Sequence, residues 1–323
     1  MSSPACIAVA GFDSVWGSDL CERLKAGAPE ARILELDGDP VSEDRQSVDG
    51  IPVGWSEADS EEKLAEVLIR NAVEVLAYRG SPDLPIREEE MDPDLESRRI
   101  RTLLGAVDQA GVRRLIVASS TLLYGALPDN PNFLAESHPL RGHPQARWME
   151  ARIEMESCVQ DFALDHPQTE VTVLRSCWTL GPRSRDPVAR FFAQQAVPTC
   201  LGYDPLLQFI HEEDLMSVYE QAILQSHPGL FNIVGRGVLP LSTLLALAGK
   251  RRWPLPGALL ERWPGSWPWQ SAGDSASAFQ DYLRYLWVAE GERGWSEFGE
   301  PGYSSREAWI SFATAQRRGG DLR

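Results

Sequence analysis

Short apolar runs, rich in β-branched residues, alternate with longer amphipathic stretches along most of this chain. No other feature constrains the fold as much. Ala5 to Ala10 reads as a buried strand, and a helix follows from about Gly17 to Lys25. Arg32 to Leu36 reads as a second strand that stops at Asp37-Gly38-Asp39-Pro40, a turn signal. Ile51 to Gly54 reads as a short third strand, Glu61 to Arg70 as a helix and Val73 to Ala77 as a fourth strand. The pattern continues with a helix over Asp94 to Ala110, a strand over Arg114 to Ala118, a long helix from about Gln145 to Leu164 and a strand over Val171 to Arg175. Strands that are apolar along their whole length, each followed by a helix, predict a parallel sheet covered on both faces. The fold class is therefore α/β, a Rossmann-type doubly wound parallel sheet, with a smaller C-terminal cap.

Past Gly181-Pro182 the alternation weakens. Phe209-Ile210-His211 and Leu230 to Val234 read as strands returning to the sheet. The expected division is a core over 1–178, rejoined by 206–236, and a cap drawn from 179–323. Within the cap, Trp253, Trp263, Trp267 and Trp269 interleave with Pro254, Pro256, Pro264 and Pro268. Such a cluster either walls an apolar ligand or fills the cap's own core.

Composition excludes several partners. The formal net charge is −16, against a positive face for nucleic acid or anionic lipid. No apolar window is long enough to span a membrane, and the first residues lack the basic n-region of a signal peptide. Five cysteines stand apart without a C-x-x-C pair, and with five histidines no metal-ligand spacing emerges. Reduced thiols in a cytoplasmic protein, with no metal, are the expectation.

The first strand runs into Gly11-Phe12-Asp13-Ser14-Val15-Trp16-Gly17 and then a helix. A glycine turn at that point lets backbone N–H groups and a helix N-terminus approach a pyrophosphate. Gly11 would form the tight turn and Gly17 would allow close helix–strand contact. Ser14, Val15 and Trp16 fill the turn between them, with Ser14 where a middle glycine is usual. Asp13 adds a negative charge where phosphates would lie. Asp37 stands 20 residues past Gly17, at the end of the second strand, placed to take ribose hydroxyls. A carboxylate there favours NAD over NADP, because it repels a 2′-phosphate.

Further motifs follow in order. Ala110-Gly111-Val112-Arg113-Arg114 leads to Val117-Ala118-Ser119-Ser120-Thr121-Leu122-Leu123-Tyr124-Gly125. Glu136 to Pro139, Leu174-Arg175 with Gly181-Pro182, Phe209 to Asp214, and Phe298 to Ala308 come later. With their spacing, these resemble the extended short-chain dehydrogenase/reductases of the NAD-dependent epimerase/dehydratase type, over nearly the whole chain. The resemblance implies NAD as cofactor and a small-molecule substrate. It also implies a homodimer through the helices that start near Asp94 and Gln145. Ser120 falls on the family's substrate-bonding Ser or Thr. Glu156 falls on a Glu that follows the family's Tyr-x-x-x-Lys pair.

That register puts Trp148 at the Tyr position and Arg152 at the Lys position. An indole N–H is a donor only and cannot serve as a base near neutral pH. A guanidinium can still donate to ribose hydroxyls, in a wider planar geometry. General acid–base catalysis is worth on the order of 10²–10⁴ in rate, so chemistry by the family's route is expected to be slow or absent. Tyr124 is the nearest phenol to substitute; His143, Glu136 and Glu150 lie near in sequence but read as packing or solvated positions. His211 reads as a strand–helix corner, with Asp214 in the following first turn. No Arg stands at Leu206-Leu207-Gln208 to meet a nucleotide-sugar diphosphate. Two functions of different class follow: a binder of a dinucleotide or small apolar ligand with lost or altered catalysis, or an active NAD-dependent oxidoreductase, epimerase or dehydratase with a relocated acid/base.

Overall fold

The computed structural model describes residues 4–12, 14–37, 49–52, 60–80, 93–260 and 275–320. Asp13, Trp263, Trp267 and Trp269 lie outside the described residues, as do the side chains of Ser14, Val15 and Asp37.

Strands and helices alternate through the first half: β1 (Cys6–Ala10), α1 (Ser14–Gly27), β2 (Arg32–Asp37), β3 (Asp49–Pro52), α2 (Ser60–Arg70), β4 (Val75–Tyr78), α3 (Pro93–Ala110), β5 (Arg114–Ser120), α4 (Arg147–Asp165) and β6 (Glu170–Ser176). Among the described residues, seven strands form one parallel sheet in the order Gly229–Ile233, β6, β5, β4, β1, β2, β3. The order reverses between β1 and β4, which opens a crevice at the carboxyl ends of those strands.

The strands are apolar throughout because both faces are buried. Along β1, Ile7 and Val9 enter one core, while Cys6, Ala8 and Ala10 enter the other. One face is covered by α2, α3 and the later turns of α4, through residues such as Leu64, Leu68, Leu103 and Val159, all fully buried. Each such leucine contributes about 1.5–3 kcal/mol. The other face is covered by α1, by α6 (Glu212–Leu224), which follows α5 (Pro187–Ala193), and by the C-terminal region.

The returning strands divide differently from the sequence reading. Gly229–Ile233 joins the sheet beside β6. Phe209–His211 does not; it pairs with Trp178–Leu180 in a separate two-stranded sheet. Gly229–Ile233 already occupies the edge of β6, so Phe209–His211 takes its partner from the chain just beyond β6.

Aromatic side chains fill the C-terminal region among the described residues. Trp287 and Trp309 are fully buried. They pack with Trp178, Phe192 and Phe209 in edge-to-face and stacked pairs. Trp253 sits on the edge strand Arg251–Leu255 and is 49% exposed. No helix among the described residues is long and apolar enough to cross a membrane.

Candidate functional site

At the crevice the chain turns tightly after β1. Gly11 has φ +73°, and a Cβ there would lie 3.0 Å from the backbone N and O of Gly80, just past β4. Only glycine adopts that conformation cheaply and admits that contact. The two strand ends are thus drawn together beneath the N-terminus of α1.

Above them lies a cavity of about 340 Å³, lined from the ends of β1, β4, β5 and β6 and from α4, α5 and α6. Of the residues singled out by the sequence, Trp16, Ser120 and Arg152 line it. Trp148, Tyr124, Gly11 and Gly17 are not among its lining residues. Asp37 ends β2.

Ser120 is buried and committed to its neighbours. It caps the short turn Thr121–Tyr124 by accepting from the N–H of Leu122 at 3.2 Å, and it donates to the carbonyl of Ser176 at 3.2 Å. Next to it, Ser119 donates to Glu156 at 2.5 Å. These bonds tie the ends of β5 and β6 to the middle of α4.

Trp148, in the first turn of α4, is 6% exposed and belongs to the hydrophobic core beside Met149. Arg152 extends one turn further on. Its Nη1 donates to the carbonyl of Arg79 at 2.9 Å and faces Glu96 Oε1 at 3.5 Å, both side chains being buried. Gly80 makes room for this pair: a Cβ there would stand 2.5 Å from Arg152 Nη1 and from Glu96 Oε1. Glu96 escaped the sequence reading. It occupies the buried stripe of α3, four residues before Ile100 and eight before Leu104, where an acid is out of place.

Tyr124 is fully buried in a polar network. Its hydroxyl donates to Asn232 Oδ1 at 2.8 Å and accepts from Arg175 Nη1 at 2.7 Å. Arg175 also holds Glu156 through its Nε at 3.0 Å. Asn232 takes Glu136 Oε1 on its backbone N–H at 2.9 Å and reaches the carbonyls of Leu134 and Glu290 at 3.0 Å each. Burial pushes the Tyr124 phenol up, against the opposing pull of Arg175. The other nearby candidates are likewise occupied or outside: His143 pairs with Asp281 at 3.1 Å, and Glu150 is exposed.

His211 and Asp214 form a corner, as expected. His211 caps α6 by accepting from the N–H of Glu213 at 3.2 Å and meets Ser311 at 3.1 Å; burial lowers its pKa. Asp214 receives the N–H groups of Gly302 and Tyr303.

The rim of the cavity comes from the segment after Gly181-Pro182, which the sequence reading left unassigned. Arg183 bonds Asp19 at 3.2 Å and Glu212 at 3.2 Å, and its pKa is raised, first by the bond to Asp19. Arg185 donates to the carbonyls of Pro182 at 3.0 Å and Ser184 at 2.8 Å. Asp186 caps α5 by accepting from the N–H of Ala189 at 2.9 Å, and burial pushes its carboxyl above the ordinary carboxylate range. The charge density of Arg183-Ser184-Arg185-Asp186, directly after a loop motif, was the signal available in the sequence. Among the described residues no cluster of His, Cys, Asp or Glu is arranged to hold a metal.

Known proteins share this architecture. The dTDP-glucose 4,6-dehydratase of Bacillus anthracis, solved with NAD, superposes with TM-score 0.70 at 16% identity, over 98% of this chain and 97% of that one. The UDP-glucose 4-epimerase of Thermotoga maritima, solved with UDP-glucose, gives 0.72 at 16% identity over 97% and 99%. In sequence, a protein of Mycobacterium tuberculosis described only as uncharacterized is 32% identical over 146 residues. That match covers 45% of this chain and 39% of the relative, so it spans well under half the relative's length. The family model for the NAD dependent epimerase/dehydratase family matches residues 7–233, and the chain belongs to that family.

Proposed function

We propose that this protein binds NAD, in preference to NADP, at the crevice between β1 and β4, and that its catalysis by the family's Tyr and Lys route is lost or altered. The observation that carries the second half is the fate of the two replaced positions. Trp148 belongs to the core and does not line the cavity, and Arg152 is held by Glu96 and the Arg79 carbonyl. Neither is set up to take a proton from substrate.

The residues around the crevice fit a dinucleotide. The Gly11 turn gives the backbone close approach that a pyrophosphate requires, and the N-terminus of α1 opens on the same side. Gly11, Gly17 and the backbone of Ser14, Val15 and Trp16 would hold the diphosphate, with Asp37 on the adenosine ribose and Arg152 on the nicotinamide ribose. NAD supplies a hydride acceptor when bound. Ser120 holds the ends of β5 and β6 together, Ser119 ties β5 to Glu156 of α4, and Phe12 and Met216 give the cavity apolar walls.

Calorimetric titration with NAD⁺ and NADH tests this reading. Binding is expected, weakened in Asp37→Ala. Absence of heat, together with no thermal shift at millimolar cofactor, would sink it. Turnover on a simple alcohol or sugar that appears only in Trp148→Tyr combined with Arg152→Lys supports lost chemistry. A wild type that already turns over such a substrate overturns that half.

One observation favours an active enzyme with a relocated acid/base instead. Asp186 is the carboxyl among the lining residues, and its pKa is raised by burial. An active wild type whose rate Asp186→Asn abolishes would establish this second reading.

The chain would work as a small-molecule binder in a reducing cytoplasm, a setting that its five free thiols suit. A homodimer through α3 and α4 belongs to the same proposal. Leu164 on α4 is 81% exposed there. Sedimentation of wild type and Leu164→Asp distinguishes dimer from monomer.

A further inference from the structure

We infer that the cavity selects a ligand with an apolar body and one anionic head, an aryl or acyl carboxylate, in place of a nucleotide-sugar. This rests on the reading that the crevice is the ligand site, and it names what fills the part beyond the cofactor.

The inner wall is apolar: Phe12, Leu122, Val188 and Met216 contribute carbon, and Cys177 a thiol. Burial pushes that thiol up to about 12, so it stays neutral. The inward hydroxyls are already committed. Ser119 donates to Glu156, Ser120 to the Ser176 carbonyl, Ser176 to the Ser119 carbonyl at 3.4 Å and Thr179 to the Cys177 carbonyl at 3.5 Å. A sugar carries several hydroxyls, and burying them against such a wall without partners is costly. An aryl or acyl body needs no partners.

Two of the described lining residues are placed to meet oxygen atoms. Trp178 lines the cavity and is 5% exposed, and its indole N–H has no acceptor among the described residues. A buried donor of this kind calls for an acceptor, and a ligand oxygen supplies one. Arg185 lines the cavity at its exposed edge and, among the described residues, donates to two main-chain carbonyls, whereas Arg152 and Arg183 already face carboxylates. A guanidinium held by neutral acceptors keeps its full charge for an anion. The Asp186 carboxyl also lines the cavity, but Ala189 N–H holds one of its oxygens. Cationic charge at the lining thus exceeds anionic, in a protein whose formal net charge is −16.

Isothermal titration with phenylbutyrate, with its neutral counterpart phenylbutanol and with UDP-glucose, each with and without saturating NAD⁺, tests this. The carboxylate is expected to bind about tenfold or more tightly than the alcohol, the worth of a charge-assisted hydrogen bond. UDP-glucose should fail to displace it. Arg185→Ala, at an exposed position, should erase the difference and leave the alcohol's affinity unchanged. Trp178→Phe should weaken the carboxylate severalfold. The inference falls if the alcohol binds as well as the acid, if UDP-glucose binds more tightly than either, or if Arg185→Ala leaves the acid's affinity unaltered. NAD⁺ binding without any binding of the acid overturns this inference and spares the cofactor reading. Binding of the acid by a protein that shows no binding of NAD⁺ does the reverse.

Discussion

The first two turns of α4 and the turn that follows them have opposite characters. In the first two, Trp148 packs into the core, and Arg152 reaches back to Glu96 and a main-chain carbonyl. In the next, Glu156 is wholly buried yet fully partnered, taking Arg175, Ser119 and Gln160. The Glu156 network joins α4, β5, β6, the Gly229–Ile233 strand and the C-terminal region through Tyr124 and Asn232. The lesson is that the shape of the crevice and its proton chemistry depend on different residues. A buried polar network fixes the strand ends whether or not a base stands above them. Under the proposed function, an indole and a neutralised guanidinium stand where the proton-moving groups would be, beside that frame and not within it.

The sharpest way to break this comparison is to remove Glu156. Glu156→Ala leaves the Arg175 guanidinium buried without its carboxylate, and a loss of about 3–5 kcal/mol is expected in urea denaturation. A loss under about 1 kcal/mol would show that the network does not frame the crevice. Next, Gly80→Ala forces a Cβ into the Arg152–Glu96 pair at a residue with φ +71°. A destabilisation of about 1–3 kcal/mol is expected, and Gly80→Ala combined with Arg152→Ala should recover part of it.

Arg183→Ala tests the rim. The Arg183 side chain is itself exposed, and the buried Glu212 keeps the Arg183 main-chain N–H and the Ser184 hydroxyl, so a change of about 1 kcal/mol is expected, shrinking in high salt. A larger, salt-independent loss would make the rim structural in the manner of the Glu156 network. The smallest effect is the pH dependence of Asp186. Its pKa is raised on folding, so the stability it contributes is complete below the ordinary aspartate value and is lost as pH climbs through the raised one. Asp186→Asn should therefore match wild type in acid, near pH 3, and exceed it in melting temperature above the carboxylate range. Identical pH profiles for the two proteins would remove Asp186 from the set of perturbed groups.

Much of the frame was legible because it is periodic. The strand–helix alternation through Val171 to Arg175 anticipated β1 to β6 with boundaries moved by a few residues. Termini fray and caps decide them locally, as when α1 begins at Ser14 and not Gly17. Phe209–His211 was assigned to the sheet because a short apolar run names a strand and not its partner; which edge is free depends on the rest of the chain. The site was legible in position more than in partnership. Ser120 and Arg152 do line one cavity, while Tyr124, close to Ser120 in sequence, turns away into the Arg175–Asn232 network. Glu96 and Asp186 were missed because an acid's environment is set by residues far along the chain.

By itself, then, the sequence determined the alternating parallel architecture, the glycine turn after β1, and the placing of Trp148 and Arg152 four residues apart on one helix. Those are properties of residue type and spacing, which local sterics and burial read directly. Only the tertiary structure decided that Trp148 serves the core, that Arg152 is neutralised by Glu96 of α3, and that Arg185 and Trp178 line the cavity. Those are matters of which charges and donors meet in space. The low-dielectric interior settles them, because there every buried polar group must find a partner or be left with the cost.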